Sequence, residues 1–84
     1  MESFKYAIVW QANYLKFTQH GDLQQRLLAT EDKILAEASP IDLVWGIGYA
    51  AEDVEALDQS AWRGKNLLGE ALMSVRQALK IAHG

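Results

Sequence analysis

Cysteine is absent from this chain of 84 residues. That excludes disulfide staples and thiolate metal sites, and it fits a reducing, cytoplasmic setting. A basic excess is absent as well: 8 Lys and Arg stand against 11 Asp and Glu, for a net charge of −3 and a pI near 5.2. Such a balance excludes non-specific coating of nucleic acid, which needs clustered cations against phosphate, but leaves a local nucleotide pocket open. There is no long apolar run. The opening MESFKYAIVWQAN carries Glu2 early and interrupts its apolar residues, so neither a signal peptide nor a membrane span is expected. His20 and His83 have no partners at metal-ligating spacing, and no metal or cofactor is expected. No repeat, linker or low-complexity tract appears.

What is present is an ordinary globular balance, 50% hydrophobic and 23% charged. The length allows one domain, 1–84, and a domain so small buries only about 60% of the surface its unfolded chain exposes. Ile8, Val9, Ala12, Leu15 and Phe17 give helical periodicity from about Tyr6 to Gln19. Gly21 breaks that helix, Asp22 sits where an N-cap belongs, and Leu23, Leu27 and Leu28 supply a short second helix. KILAEAS (Lys33 to Ser39) reads as a strand. Pro40 turns the chain, and LVWGIG reads as a buried strand with a glycine kink. Tyr49 to Ala61 is an acidic loop. From Lys65 to His83, Leu68, Leu72, Val75 and Leu79 line one helical face, and Lys80, His83 and Gly84 suit a helix C-terminus. The expected class is α+β, mostly helical, with three helices and two short strands. Two strands alone do not make a stable sheet, so something must complete them.

Two stretches have the residue types for chemistry. In SPIDLVWGIG, Asp42 and Trp45 admit two readings: a charged group and a flat aromatic wall at a pocket, or a turn acid bonding local amides beside a core indole. In AWRGKNLLGEALMSVR, Arg63 and Lys65 flank Gly64 ahead of a helix. Free amides there would suit a phosphate or carboxylate, whereas the plainer reading makes Asn66 an N-cap and Gly64 an entry turn. The glycine and Ser/Thr pattern of a Walker loop is missing. Ser39 and Ser60 lack a positioned base, which argues against nucleophilic catalysis.

Taken together, KFTQHGDLQQRLLATEDKILAEASPIDLVWGIG and ALDQSAWRGKNLLGEALMSVRQAL resemble the C-terminal half of the YbiA/NADAR superfamily. The shared blocks are KF-x-Q, LLAT, EASP-x-D-x-x-WGIG and W-x-G-x-NLLG-x-ALM-x-VR, in that order over roughly Trp10 to Leu79. The resemblance implies a truncated NADAR-like α+β fold and hydrolysis of an N-glycosidic bond. The substrates it implies are a ribosylamino-pyrimidine phosphate or an ADP-ribosyl-guanine. It makes Asp42 the catalytic carboxylate and places Lys16, Trp45, Gly46, Trp62, Arg63 and Asn66 against the substrate, with the glycines admitting a ligand beside the indole. Family members are nearly twice as long, and their N-terminal half, with a glutamate expected at the active site, has no counterpart in the quoted blocks. Two functions follow as expectations. One is an N-glycosidase acting as a homo-oligomer or with a complementing N-terminal-half chain. The other is a catalytically inactive remnant that binds a nucleotide, an ADP-ribose-type ligand or another protein.

Overall fold

The computed structural model describes residues 2–83, with side chains from Phe4 to Ala82. Three helices organise it: α1 (Glu2–Gln19), α2 (Gly21–Ala29) and α3 (Leu67–His83). Two short 3-10 turns, Val54–Leu57 and Gln59–Ala61, interrupt the long connection between α2 and α3. Among the described residues there is no strand, so the expected α+β class is corrected to a small helical fold. KILAEAS has no regular secondary structure, its Glu37 and Ser39 carbonyls accepting the Ile47 and Gly48 amides, and Leu43–Trp45 form a turn rather than a strand. The reason is local. Asp42 Oδ1 accepts the Val44 and Trp45 amides at 3.0 and 2.8 Å, bending backbone that a strand would need extended.

The chain divides into two compact units, one made of residues up to Ile34 with those from Ala71 onward, the other of Leu35–Glu70. In the first unit, Ala71, Val75 and Leu79 recur every four residues along α3 and are fully buried, with Leu27 of α2 at 6% exposure. α2 ends where Glu31 adopts the left-handed conformation (φ 54), which lets the Glu31 amide donate back to the Leu28 carbonyl. Arg76, buried at 6% exposure, donates from Nη1 to Thr30 Oγ1 (2.8 Å) and the Lys33 carbonyl (2.9 Å). Lys80 adds bonds to the Glu31 carbonyl and the Asp32 carboxylate. On α1, the Trp10 indole stacks on Tyr14 at 5.2 Å and donates to Ser74 Oγ.

Two expected boundaries move. His20, not Asp22, holds the N-cap position of α2, and Asp22 lies in its first turn, where a negative charge suits the helix dipole. α3 begins at Leu67 rather than Lys65, because Asn66 sits at φ 54 and the amides before it are bonded elsewhere. Gly84 lies outside the described residues, as does the side chain of His83.

In the second unit, loop is bonded to loop. The amides of Arg63 and Gly64 both donate to the Ile47 carbonyl. Those of Lys65, Asn66, Leu67 and Leu68 donate to Leu43, Gly46, Val44 and Trp45. This set of bonds does for the WGIG segment what a sheet neighbour would have done. It requires very close backbones: a Cβ on Gly64 would run into the Gly46 carbonyl oxygen. Gly48 turns the chain away at φ +84, a conformation that L side chains rarely adopt.

Candidate functional site

The second unit brings together most of the residues singled out in the sequence. Asp42 is half-buried, and its own amide is fixed by Ser39 Oγ at 3.2 Å. Its Oδ1 is committed to the Val44 and Trp45 amides, while Oδ2 has no hydrogen-bond partner among the described residues. The carboxylate is therefore a turn brace with one oxygen to spare. Trp45 follows it, half-buried, with an indole N–H that also has no partner among the described residues. The hydrogen bonds match the turn reading of Asp42: the acid bonds local amides through one oxygen.

Arg63 is exposed, and its guanidinium carbon lies 4.5 Å from the Tyr49 ring centroid while Nε donates to the Tyr49 hydroxyl at 3.0 Å. Stacking and hydrogen bond hold the planar cation in one orientation and leave its Nη donors for an anion or a ring-bearing ligand. Tyr49 was not singled out in the sequence. It is 14 positions from Arg63, and no periodicity links residues on separate irregular segments; WGIGY offered only an aromatic beside a glycine as signal.

Other expected contacts are placed differently. Asn66 is 4% exposed, and both ends of its amide are engaged: Oδ1 accepts the Glu37 amide and Nδ2 donates to the Leu35 carbonyl, each at 2.9 Å. Its side chain holds the 35–37 segment, while its backbone carbonyl accepts the Glu70 amide at the N-cap position of α3. Gly46 is buried, with its amide donating to the Asp42 carbonyl and its carbonyl accepting from Asn66. A Cβ there would lie 2.9 Å from Asp42 O and 3.1 Å from Glu37 O, so the close approach it serves is backbone to backbone. Trp62 spends its indole N–H on the Ala56 carbonyl at 3.1 Å. The helix-start amides that would have received an anion are not free, since Leu67 and Leu68 donate to Val44 and Trp45. Lys16 belongs to the first unit, on the last turn of α1, with its ammonium 5.3 Å from the Phe17 ring centroid. The acidic loop is more than a solvated face: Asp53 accepts the Ala50 amide, and Asp58 accepts both the Ser60 amide and hydroxyl. Among the described residues, no group of acids and histidines is placed to hold a metal ion.

The comparison that decides the family is the match of the NADAR domain model to residues 2–80. The chain belongs to the NADAR domain family. Within it, the chain is 46% identical over 76 residues to an N-glycosidase of Acanthamoeba polyphaga mimivirus, covering 90% of this chain and 45% of that protein. It is 36% identical over 80 residues to N-glycosidase YbiA of Escherichia coli, covering 95% of this chain and 43% of the relative. The chloroplastic riboflavin biosynthesis protein PYRR of Zea mays is 36% identical over 78 residues, 93% of this chain and 11% of that protein. The chain thus spans less than half the length of these NADAR relatives. No solved structure matches it. No helix among the described residues is long and apolar enough to cross a membrane.

Proposed function

We propose that this NADAR chain carries one part of an N-glycosidase site, with Asp42 as its carboxylate, and that the site hydrolyses the bond between a ribose and an amine or base nitrogen. The observation that carries the reading is the state of Asp42: one oxygen is locked by two backbone amides and the other has no partner among the described residues. A carboxylate held in this way has little freedom to rearrange, which is what stabilisation of developing positive charge requires. As the C1′–N bond breaks, its electron pair leaves with nitrogen and C1′ takes on oxocarbenium character. Water then forms the new C1′–O bond, and its proton is passed on so that the leaving nitrogen ends protonated. Asp42 Oδ2 faces the cationic carbon or takes the water proton. The acid that protonates the leaving nitrogen comes from outside this chain's described site, from a complementing chain or a further segment.

In this reading Trp45 flanks the base or sugar, and Arg63, steadied on Tyr49, meets a phosphate of the substrate. Gly46, Trp62 and Asn66 act by positioning the Asp42–Ile47 turn. The substrate class is a ribosylated nucleotide, either a ribosylamino-pyrimidine phosphate or an ADP-ribosyl base. The relatives named as N-glycosidases and as a riboflavin biosynthesis protein support that class. The alternative is a NADAR module that binds without turnover.

Thermal unfolding with and without ADP-ribose, and with and without a ribosylamino-pyrimidine phosphate, tests the pocket. A ligand at about 100 times its Kd adds roughly 2.7 kcal/mol, about ten degrees or more in a domain of this size. Asp42→Asn separates the two readings, because an asparagine Oδ1 still accepts the Val44 and Trp45 amides and the turn survives. Loss of hydrolysis with binding retained is the expected result. Hydrolysis that persists in Asp42→Asn removes Asp42 from the chemistry. Binding of either ligand without turnover in the native chain selects the binding module.

A further inference from the structure

Arg63 and Tyr49 are built against each other within the second unit. The Arg63 amide donates to the Ile47 carbonyl at 3.0 Å, and the Gly48 amide donates to the Ser39 carbonyl at 2.9 Å, so backbone bonds fix the chain beside both residues. Gly48 lets them meet, since a Cβ there would lie 2.8 Å from the Arg63 Cβ. The guanidinium carbon then sits 4.5 Å from the Tyr49 ring centroid, with Nε donating to the hydroxyl at 3.0 Å. Arg63 is exposed and makes no ion pair among the described residues, although Glu52, Asp53, Glu55 and Asp58 lie on the loop just before it. Its Nη groups have no partner there either. The cation is oriented and its charge is unspent.

The Tyr49 hydroxyl adds a donor. Its oxygen accepts from Nε, which leaves the O–H proton to donate, and it donates to no described residue. Two Nη groups and one O–H thus form a three-pronged donor set around one positive charge. A carboxylate has two oxygens, which an arginine fork satisfies alone. A phosphate inside a diester or diphosphate link also offers two non-bridging oxygens. A terminal phosphate monoester offers three strong acceptors and a charge near −2. We propose that Tyr49 is a phosphate ligand in its own right, and that with Arg63 it selects ligands ending in a phosphate monoester over those whose phosphates are internal. This rests on the reading of Arg63 as the phosphate contact of the Asp42 site. The ring orients the cation, and the hydroxyl supplies the third donor.

Titration calorimetry of the full chain with ribose, ribose 5-phosphate and ADP-ribose tests the assignment without reliance on turnover. The native chain is expected to bind ribose 5-phosphate at least about tenfold more tightly than ribose, as for hydrogen bonds to a charged group. Tyr49→Phe keeps the stacking ring and removes the hydroxyl. It should weaken ribose 5-phosphate about tenfold, change ADP-ribose by less than about twofold, and leave the unfolding midpoint in place. Tyr49→Leu, which removes ring and hydroxyl together, should weaken ribose 5-phosphate further. No preference of the native chain for ribose 5-phosphate over ribose overturns the phosphate site. Unchanged ribose 5-phosphate binding in Tyr49→Phe overturns Tyr49 as a ligand and leaves the anion to Arg63 alone. An equal loss for ADP-ribose overturns the selection for a monoester, and a loss that comes with a lowered midpoint makes Tyr49 structural. The expected pattern without hydrolysis of any ribosylated base supports the proposal and removes only the glycosidase reading.

Discussion

Asn66 offers the sharpest quantitative check on how the site is held. It combines a left-handed backbone (φ 54), near-complete burial at 4% exposure, and two side-chain bonds of 2.9 Å to Glu37 and Leu35. Asn66→Ala removes both bonds, each worth about 1 kcal/mol net in a part-buried setting. It also places a Cβ without compensation in the left-handed region, which costs about 1–2 kcal/mol. The sum is about 3–4 kcal/mol. Asn66→Gly loses the same two bonds but escapes the backbone term, so it costs about 2 kcal/mol, somewhat more if glycine's unfolded-state entropy is counted. Total stability for a chain of this length is roughly 4–13 kcal/mol, so both variants move the transition measurably, by about 4–8 °C per kcal/mol. Urea unfolding followed by circular dichroism gives the order native, then Gly, then Ala. An alanine variant that loses less than about 1 kcal/mol would refute the assignment of Asn66 as the brace of the 35–37 segment, and one that matches glycine would refute the backbone cost.

Gly64→Ala drives a Cβ into the Gly46 carbonyl oxygen. The pairing of 43–47 with 63–68 is expected to open, seen as lost protection of the Arg63–Leu68 amides in hydrogen exchange. Glu31→Gly relieves a left-handed non-glycine residue at the end of α2 and should stabilise by about 1 kcal/mol in urea titration. Leu79→Ala, at a fully buried α3 position, should cost about 2–5 kcal/mol. The hydrogen bond from Lys80 and then its charge hold the exposed Asp32 carboxyl below its ordinary 3.8. A depressed folded value gives a contribution that is present above that ordinary pH and lost as pH falls below it. Asp32→Asn should therefore flatten the stability profile only below about pH 4, and by an amount that salt screens away. A difference that persists at neutral pH in high salt would contradict this.

The helices were legible because their signals are local. Leu68, Leu72, Val75 and Leu79 announce one face of α3, and the α1 periodicity located that helix. The strands were misread because apolar runs such as LVWGIG look the same whether their carbonyls meet a sheet or a loop. What decided the matter was Asp42 capturing two amides three residues from Ser39, a side-chain event that hydropathy does not register. Asn66 stands at the start of α3 as expected, but the use of its side chain was not legible. At a helix start asparagine normally caps, and only the distant chain at Leu35 and Glu37 shows that its amide is used elsewhere. The pairing of Arg63 with Tyr49 has no local signature at all.

The bonds between 43–47 and 63–68 have a consequence for how the site forms and how it varies. The acceptors lie on one piece of chain and the donors on another, so neither piece has lasting order by itself. The Asp42 turn and the Arg63 platform appear in one cooperative event, after the intervening stretch has closed into a ring. Lengthening that ring is thermodynamically cheap, about 0.6 kcal/mol for each doubling of its flexible length. An insertion between Tyr49 and Ala61 that keeps Tyr49 on Arg63 and the Ala56 carbonyl on the Trp62 indole is thus expected to leave the bonds between 43–47 and 63–68 in register.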